Sequence, residues 1–313
     1  MSPPQRYLGI EIGGTKLQIV IGDAAAGILH RHRFSVDRTR GGEGIREQIR
    51  NTLPRLLADH GPAGIGVGFG GPVDWRSGRI CCSHQIEGWS EHPLGDWLRA
   101  LARIPVKVEN DANTATLGEA RLGAGRGLNP VCYVTLGSGV GGGLVVDGRI
   151  YHGACPGEAE IGHVRLDRQG AIVESRCSGW AVDARIRELR TRHPESLLAR
   201  LTAQTDGGEA RFLVPALREG DAVARALLAE VGGDLAFGLS HVVHLFHPQV
   251  VVLGGGLSLV GEPLRQAVAE ALPGLVMEAF RPGPDVRIAE LGEDAVPAGA
   301  LLLAHEAAGV GHP

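Results

Sequence analysis

Five cysteines in 313 residues, with no C-x-x-C pair among them, leave little basis for a disulfide scaffold or a cysteine zinc cage. Cys81, Cys82, Cys132, Cys155 and Cys177 are an odd set and fit reduced thiols in a cytoplasmic protein. No basic run stands out: Lys and Arg number 31 against 35 Asp and Glu, for a formal net charge of -4. That balance argues against a dedicated nucleic-acid surface but leaves room for a local site for a small anion. Met1–Arg6 lacks a charged leader region, and no apolar stretch reads as long enough to cross a bilayer, so neither a signal peptide nor a membrane partner is expected. No Gly-X-Y period runs through the chain, which excludes collagen. Wholesale disorder is excluded by composition, since 43% of residues are hydrophobic and only 21% charged. The P-loop pattern G-x-x-x-x-G-K-[ST] is also missing.

What is present in excess is glycine, 48 residues of 313, about twice the ordinary usage of roughly 7%. The excess punctuates apolar runs. Tyr7–Ile12 reads as a strand, Gly13-Gly14-Thr15-Lys16 as a tight turn, and Leu17–Ile21 as a second strand. Val131–Leu136, the glycine-rich stretch 137–143 and Leu144–Val146 repeat that design, an internal duplication of topology without identity of residues. Further strands are expected at Ile65–Phe69, Val106–Glu109, Gln249–Leu253 and Val286–Glu290. Helices are expected near Gly44–His60, Leu94–Ala102, Asn113–Leu122, Ala181–Arg192, Ala222–Phe246, Glu262–Ala271 and Pro297–Ala308. Strands alternating with helices predict an α/β fold.

Glycine lets backbone N–H groups converge on an anion without obstruction by Cβ. Three glycine turns end strands here: Gly13-Gly14-Thr15-Lys16, Gly137-Ser138-Gly139 with the residues up to Gly143, and Gly254-Gly255-Gly256. Each taken alone can be a plain hairpin turn. Gly137–Gly142 matches G-x-G-x-x-G, but in a strand–turn–strand context rather than the strand–turn–helix of a dinucleotide site. Glu109-Asn110-Asp111-Ala112-Asn113 stands between a strand and a helix. Asn and Asp there can cap the helix, or Asp111 can act as a general base beside an amide that fixes a substrate. Phosphoryl transfer needs little more than such a carboxylate, cradled phosphates and a cation.

These residues resemble a sugar kinase of the ROK family, within the actin-like ATPase superfamily, over nearly the whole chain. Leu8–Lys16 is similar to the family's first phosphate motif, Glu109–Asn113 to its catalytic motif, Thr135–Gly143 to its second phosphate motif and Gly157–His163 to its sugar-binding stretch. The resemblance implies two RNase H-like α/β domains flanking a cleft. Residues 1–115 with 296–313 would form a smaller N-terminal domain and 116–295 a larger C-terminal one. It implies transfer of the γ-phosphoryl group of ATP, with Mg²⁺, to the 6-hydroxyl of a hexose, glucose first among them. An N-acetylated amino sugar is the alternative acceptor, and a non-enzymatic sugar sensor the alternative from another class. The helix-turn-helix of the family's repressors has no room before a motif that begins by residue 8. Asp111 would be the base. Asn110, Glu160, His163, Glu174, Gly71 and Gln85 would bind the sugar, and the three glycine turns the nucleotide. A homodimer is implied by the resemblance alone.

The sequence also departs from the family. The usual zinc site, a His with three closely spaced Cys, is absent: no cysteine lies between His163 and Glu174, and Ile172 stands where one is expected. No structural zinc is therefore expected. Glu11 replaces an Asp in the first motif and would meet Mg²⁺ with a longer arm. Gln85 stands where the family has Asn, one methylene longer. His241, His244 and His247 form a second tempting group, but without an evident carboxylate or Cys partner they read as core and helix-end histidines.

Overall fold

The apolar runs pair as strands, and the spaces between them fill with helices, in a computed structural model that describes residues 4–83, 86–157 and 159–309. The first part of the chain contributes β1 (Tyr7–Ile12), β2 (Lys16–Gly22), β3 (Ile28–Ser35), α1 (Gly41–His60), β4 (Ile65–Phe69), β5 (Val73–Asp74), β6 (Arg79–Ile80), α2 (Leu94–Ala102), β7 (Val106–Asn110) and α3 (Asp111–Leu122). There follow β8 (Val131–Leu136), β9 (Val140–Val146), β10 (Arg149–Ile150), α4 (Val173–Cys177), α5 (Gly179–Arg192), α6 (Leu197–Thr202) and α7 (Leu213–Arg218). The chain closes with α8 (Ala222–Phe246), β11 (Val250–Gly254), α9 (Glu262–Ala271), β12 (Asp285–Ile288) and α10 (Ala295–Ala307).

The α/β class holds, with two mixed five-stranded sheets in the orders β3-β2-β1-β4-β7 and β10-β9-β8-β11-β12. Position for position these are one topology used twice, as the repeated strand–glycine–strand design predicts. In the first sheet β1 and β3 run antiparallel to β2, while β4 and β7 continue parallel from β1. In the second, β11 is parallel to both β8 and β12. Central strands β1, β4 and β11 are buried throughout, as expected of strands covered on both faces. Edge strand β3 is different: His30-Arg31-His32-Arg33 gives it a polar, partly exposed character, which hides it from a hydrophobicity reading and suits a sheet edge.

By backbone contacts the chain divides into two units, Met1–Gly123 with Gly143–Ala159 and Glu293–Pro313, and Ala124–Gly142 with Glu160–Gly292. In the first unit, α10 lies so close to β1, β4 and α3 that only glycine fits between. A Cβ at Gly66 would lie 1.9 Å from the Ala300 carbonyl oxygen, and one at Gly299 would lie 1.9 Å from that of Thr114. In the second unit Gly232 and Gly238 of α8 meet Ala267 and Val173 in the same way. Much of the glycine excess therefore serves close packing of helix on sheet and helix on helix.

One expectation is corrected by α8. Its 25 residues reach a mean hydropathy of 1.3 over an 18-residue window, so it is long and apolar enough to cross a membrane. With 56% of that window buried inside the protein, its buried apolar residues pack on α4, α9 and the core, while Phe237, Leu245 and Phe246 stay exposed.

Gly66→Ala should cost about 3 kcal/mol of stability, because the obstructing atoms are backbone and cannot swing aside. Urea unfolding checks this: the midpoint should fall while the slope stays unchanged.

Candidate functional site

The β1–β2 register sets Glu11 opposite Gln18, and β2–β3 sets Gln18 opposite Arg33. The result is a polar relay through a buried sheet. Gln18, only 1% exposed, donates to Glu11 Oε2 at 2.6 Å and accepts at its own Oε1 from Arg31 Nη1 (3.1 Å) and Arg33 Nε (2.9 Å). Those arginines pair with Asp294 and Glu293. Lys16 Nζ lies 3.1 Å from Glu11 Oε1. Burial dominates at Glu11 and raises its pKa above the ordinary value, against the opposing pull of Lys16 and Gln18.

The first glycine turn closes with Gly13 N–H donating to the Lys16 carbonyl at 3.0 Å. Gly70, just past β4, donates its N–H to the Ile12 carbonyl at 2.8 Å. A Cβ at Gly70 would lie 3.3 Å from Asp111 Oδ2 and 3.7 Å from Gly13 Cα. The predicted base and the first glycine turn thus meet beside one glycine. Asp111 is the first residue of α3, and its Oδ1 accepts from Ala112 N–H at 2.8 Å. Asn110 caps that helix: its Oδ1 accepts from Ala112 and Asn113 N–H at 2.8 and 3.1 Å, and its Nδ2 donates to the Gly71 carbonyl at 3.2 Å. The helix thus begins two residues before the expected Asn113, because the cap satisfies its first donors. Gln85 lies outside the described residues.

In the second unit the predicted residues gather where β8 ends. Gly137 N–H donates to the Gly139 carbonyl at 2.9 Å, and the Gly137 carbonyl accepts from Gly179 N–H at 2.7 Å. Glu174 Oε2 accepts from Val140 N–H at 2.9 Å and would sit 2.5 Å from a Cβ on Gly139. Gly255, at φ +80°, packs on Leu136, where a Cβ would lie 2.6 Å from the backbone nitrogen. Glu160 precedes and His163 ends a short 3₁₀ turn over Ile161–His163, closed by His163 N–H on the Glu160 carbonyl at 3.0 Å. Both side chains are exposed, and Gly162 in that turn presses on the Val140 carbonyl.

A cavity of about 380 Å³ opens beside the second glycine turn, lined by Gly137, Ser138 and Gly256 and by Trp180, Arg211 and Leu259. Trp180 is 63% exposed and Leu259 83% exposed. Gly179 begins the 14-residue α5, whose N-terminal N–H groups and dipole favour an anion. Glycine turn, helix N-terminus and aromatic wall together suit a nucleotide. Trp180, Arg211 and Leu259 are absent from the sequence-based candidates. The Ser178 cap followed by Trp180 is the only local signal, and the segment carrying Arg211 has none.

The segment after His163 does not fit zinc. It forms a small hairpin, with Leu166 N–H on the Ala171 carbonyl at 2.8 Å and a bridge between Arg165 and Ile172. Asp167 Oδ1 closes it by accepting from the N–H groups of Gln169, Gly170 and Ala171 at 2.8, 2.8 and 3.0 Å, bonds that hold its pKa below the ordinary carboxylate value. Cys177, the nearest thiol in sequence, is fully buried against the Val231 carbonyl, and burial pushes its pKa up to about 12, so no thiolate is at hand. Among the described residues no group of three or more His, Cys, Asp or Glu is arranged to hold a metal ion. The three histidines at the end of α8 are held by ring and backbone contacts, with His244 and His247 both against Phe280. His241 meets Phe237 edge-on, His244 Nε2 accepts from Met277 N–H at 3.1 Å, and His247, just past the helix end, stacks on Phe280.

Comparison with known proteins covers nearly the whole chain. A model of the ROK family matches residues 7–307. A glucokinase of Halalkalibacterium halodurans is 31% identical over 303 residues, 92% of each chain. A glucokinase of Thermotoga maritima is 30% identical over 98% of this chain and 99% of its own. Among solved structures, a ROK family glucokinase from Streptomyces griseus in complex with glucose and AMPPNP superposes with a TM-score of 0.82 at 31% identity, covering 96% of this chain and 99% of that one. Repressors stand among the more distant relatives.

Metal analysis of the purified chain should return zinc well below one per chain, and chelators should leave its melting temperature unchanged. One zinc per chain would overturn the assignment of the Asp167 hairpin as a metal-free closure.

Proposed function

The chain belongs to the ROK family, and we propose that it is an ATP-dependent hexose kinase that phosphorylates the 6-hydroxyl of glucose. The observation that carries this reading is that Asp111 Oδ2 and Gly13 lie together beside Gly70, 3.3 and 3.7 Å from where its Cβ would be. A carboxylate held at a helix N-terminus next to a glycine turn is what phosphoryl transfer to an alcohol requires. Asp111 takes the proton of the 6-hydroxyl as that oxygen bonds to the γ-phosphorus. The bond from phosphorus to the bridging oxygen breaks, and ADP leaves.

The remaining residues position and select. Asn110 and Gly71, with Gln85, Glu160, His163 and Glu174, supply the donors and acceptors that a sugar's alternating hydroxyls need. Asn110 caps α3 with its oxygen and bonds Gly71 through Nδ2, whose second hydrogen is the one offered to a hydroxyl. The turns Gly13–Lys16, Gly137–Gly139 and Gly254–Gly256 cradle phosphates through backbone N–H groups. Trp180 offers its face to the adenine ring. Mg²⁺ bound with the nucleotide neutralises phosphate charge. Each oxygen of Glu11 has one protein partner and keeps a lone pair, which fits a contact through the cation's water. A homodimer in the cytoplasm completes the reading, on family resemblance and the odd number of cysteines with no C-x-x-C.

A coupled ADP-release assay over a hexose panel tests the function directly. Glucose should stimulate release with Mg-ATP, and a flat response across all sugars would sink the proposal. Asp111→Asn should lower kcat by about 10²–10⁴-fold while glucose binding by calorimetry persists. Trp180→Ala should raise the KM for ATP about tenfold, as loss of one base-stacking contact does, and leave the KM for glucose unchanged.

A further inference from the structure

A buried carboxylate next to the base has no role in the mechanism above. Glu109, near the end of β7, is 1% exposed, and an ionised group so deep must be fully partnered. Its Oε1 accepts from Asn110 N–H at 3.0 Å and from Asn113 Nδ2 at 3.2 Å. Its Oε2 meets His152 Nε2 at 2.5 Å, a hydrogen bond in which the ring N–H donates to the carboxylate in the assigned Nε2–H tautomer. The imidazole of His152 is held flat on Trp75, with ring centres 4.1 Å apart and planes at 16°. The Arg76 guanidinium lies 5.2 Å from the Trp75 ring centre.

Asn113 makes a second tie. Its Nδ2 also donates to the Gly157 carbonyl at 2.8 Å. Both neighbours of that nitrogen are acceptors, so the amide can face them only with its N–H₂ group. Its Oδ1 is left buried without a partner, a penalty the native fold accepts to keep the bridge. Residues 152 and 157 are thus bound at two points to the turn that carries Asn110 and Asp111.

We propose that His152 is a positioning residue that acts through Glu109 to set the first turn of α3, and with it the direction of the Asp111 carboxylate. The proposal rests on the kinase reading for its catalytic consequence. Glu109 grips the backbone N–H of the residue before Asp111 and the side chain of the residue two after it. Rotation of that turn would break both bonds and strand a buried charge. His152 fixes the carboxylate from its other oxygen, and Trp75 fixes His152. A hydrophobic pair of the same volume would pack as well but would not orient the helix start.

His152→Phe keeps a ring for Trp75 and removes the donor to Glu109. Expected is a tenfold or greater fall in kcat with the KM for ATP within twofold of the parent. His152→Gln, which restores an N–H donor, should recover most of kcat. Full kcat in His152→Phe, or no recovery in His152→Gln, overturns the proposal. Hydrogen exchange gives a readout that needs no turnover. In His152→Phe the Ala112 and Asn113 amides should exchange at least tenfold faster, while amides of β1 and β4 stay protected. Unchanged exchange at Ala112 and Asn113 overturns the proposal. If the parent protein phosphorylates no hexose, the kinase reading falls, and the exchange measurement alone decides whether His152 sets the turn.

Discussion

The first turn of α3 is the constraint on which the site depends. A helix start leaves four backbone donors without helical partners, and here it emerges from a buried strand where water cannot serve them all. Asn110 takes two of the N–H groups, Asp111 shares one of them, and Glu109 takes the N–H of Asn110. The polar residues that make the turn foldable are thus the same ones that carry the proposed chemistry. Capping and catalysis are not competing accounts of Glu109-Asn110-Asp111. Satisfying the helix start is what aims the carboxylate, and in the proposed kinase Asn110 would do both tasks with opposite ends of one amide.

A second constraint is closeness. α10 rests on β1, β4 and α3 through Gly9, Gly66, Gly118 and Gly299, with no depth for a methyl group at Gly66 or Gly299. This contact brings together the end of the chain and its first strand, and it holds the sheet whose strand ends carry the first glycine turn, Gly70 and Asp111. The Gln18 relay ties the same sheet from within, linking Glu11 through Arg31 and Arg33 to Asp294 and Glu293 just before α10. Burial makes each such bond expensive to leave unmade, so the relay also fixes where Glu11 stands relative to Lys16. In the second unit the end of β8 plays the corresponding part, with Gly137, Gly139, Glu174 and Gly255 packed around it.

Much of this was legible from local pattern. The strand–glycine–strand repeats at residues 7–21 and 131–146 predicted the shared topology, because apolar periodicity and glycine stops are properties of neighbouring residues. Glu109–Asn113 was legible as a strand-to-helix junction for the same reason. Edge strand β3 was not, since its basic side chains follow no apolar alternation and its pairing comes from register with β2. The reach of α8 was misjudged by composition, and only its burial against α4 and α9 shows where its apolar face goes.

The sequence by itself determined the α/β class, the duplicated hairpins, the order of the motifs and the absence of cysteines for a metal. All of these follow from composition and short-range spacing. Tertiary structure alone decided the rest: that His152 meets Glu109 across 43 positions, that Trp180, Arg211 and Leu259 line one cavity, and that glycines at 66 and 299 are demanded by helix contact. It also decided that the Asp167 carboxylate closes its hairpin by accepting from three backbone N–H groups. These depend on distance in space between residues far apart in the chain, or on which side chain the packing leaves to satisfy a buried group. Neither quantity is written in the spacing of neighbours.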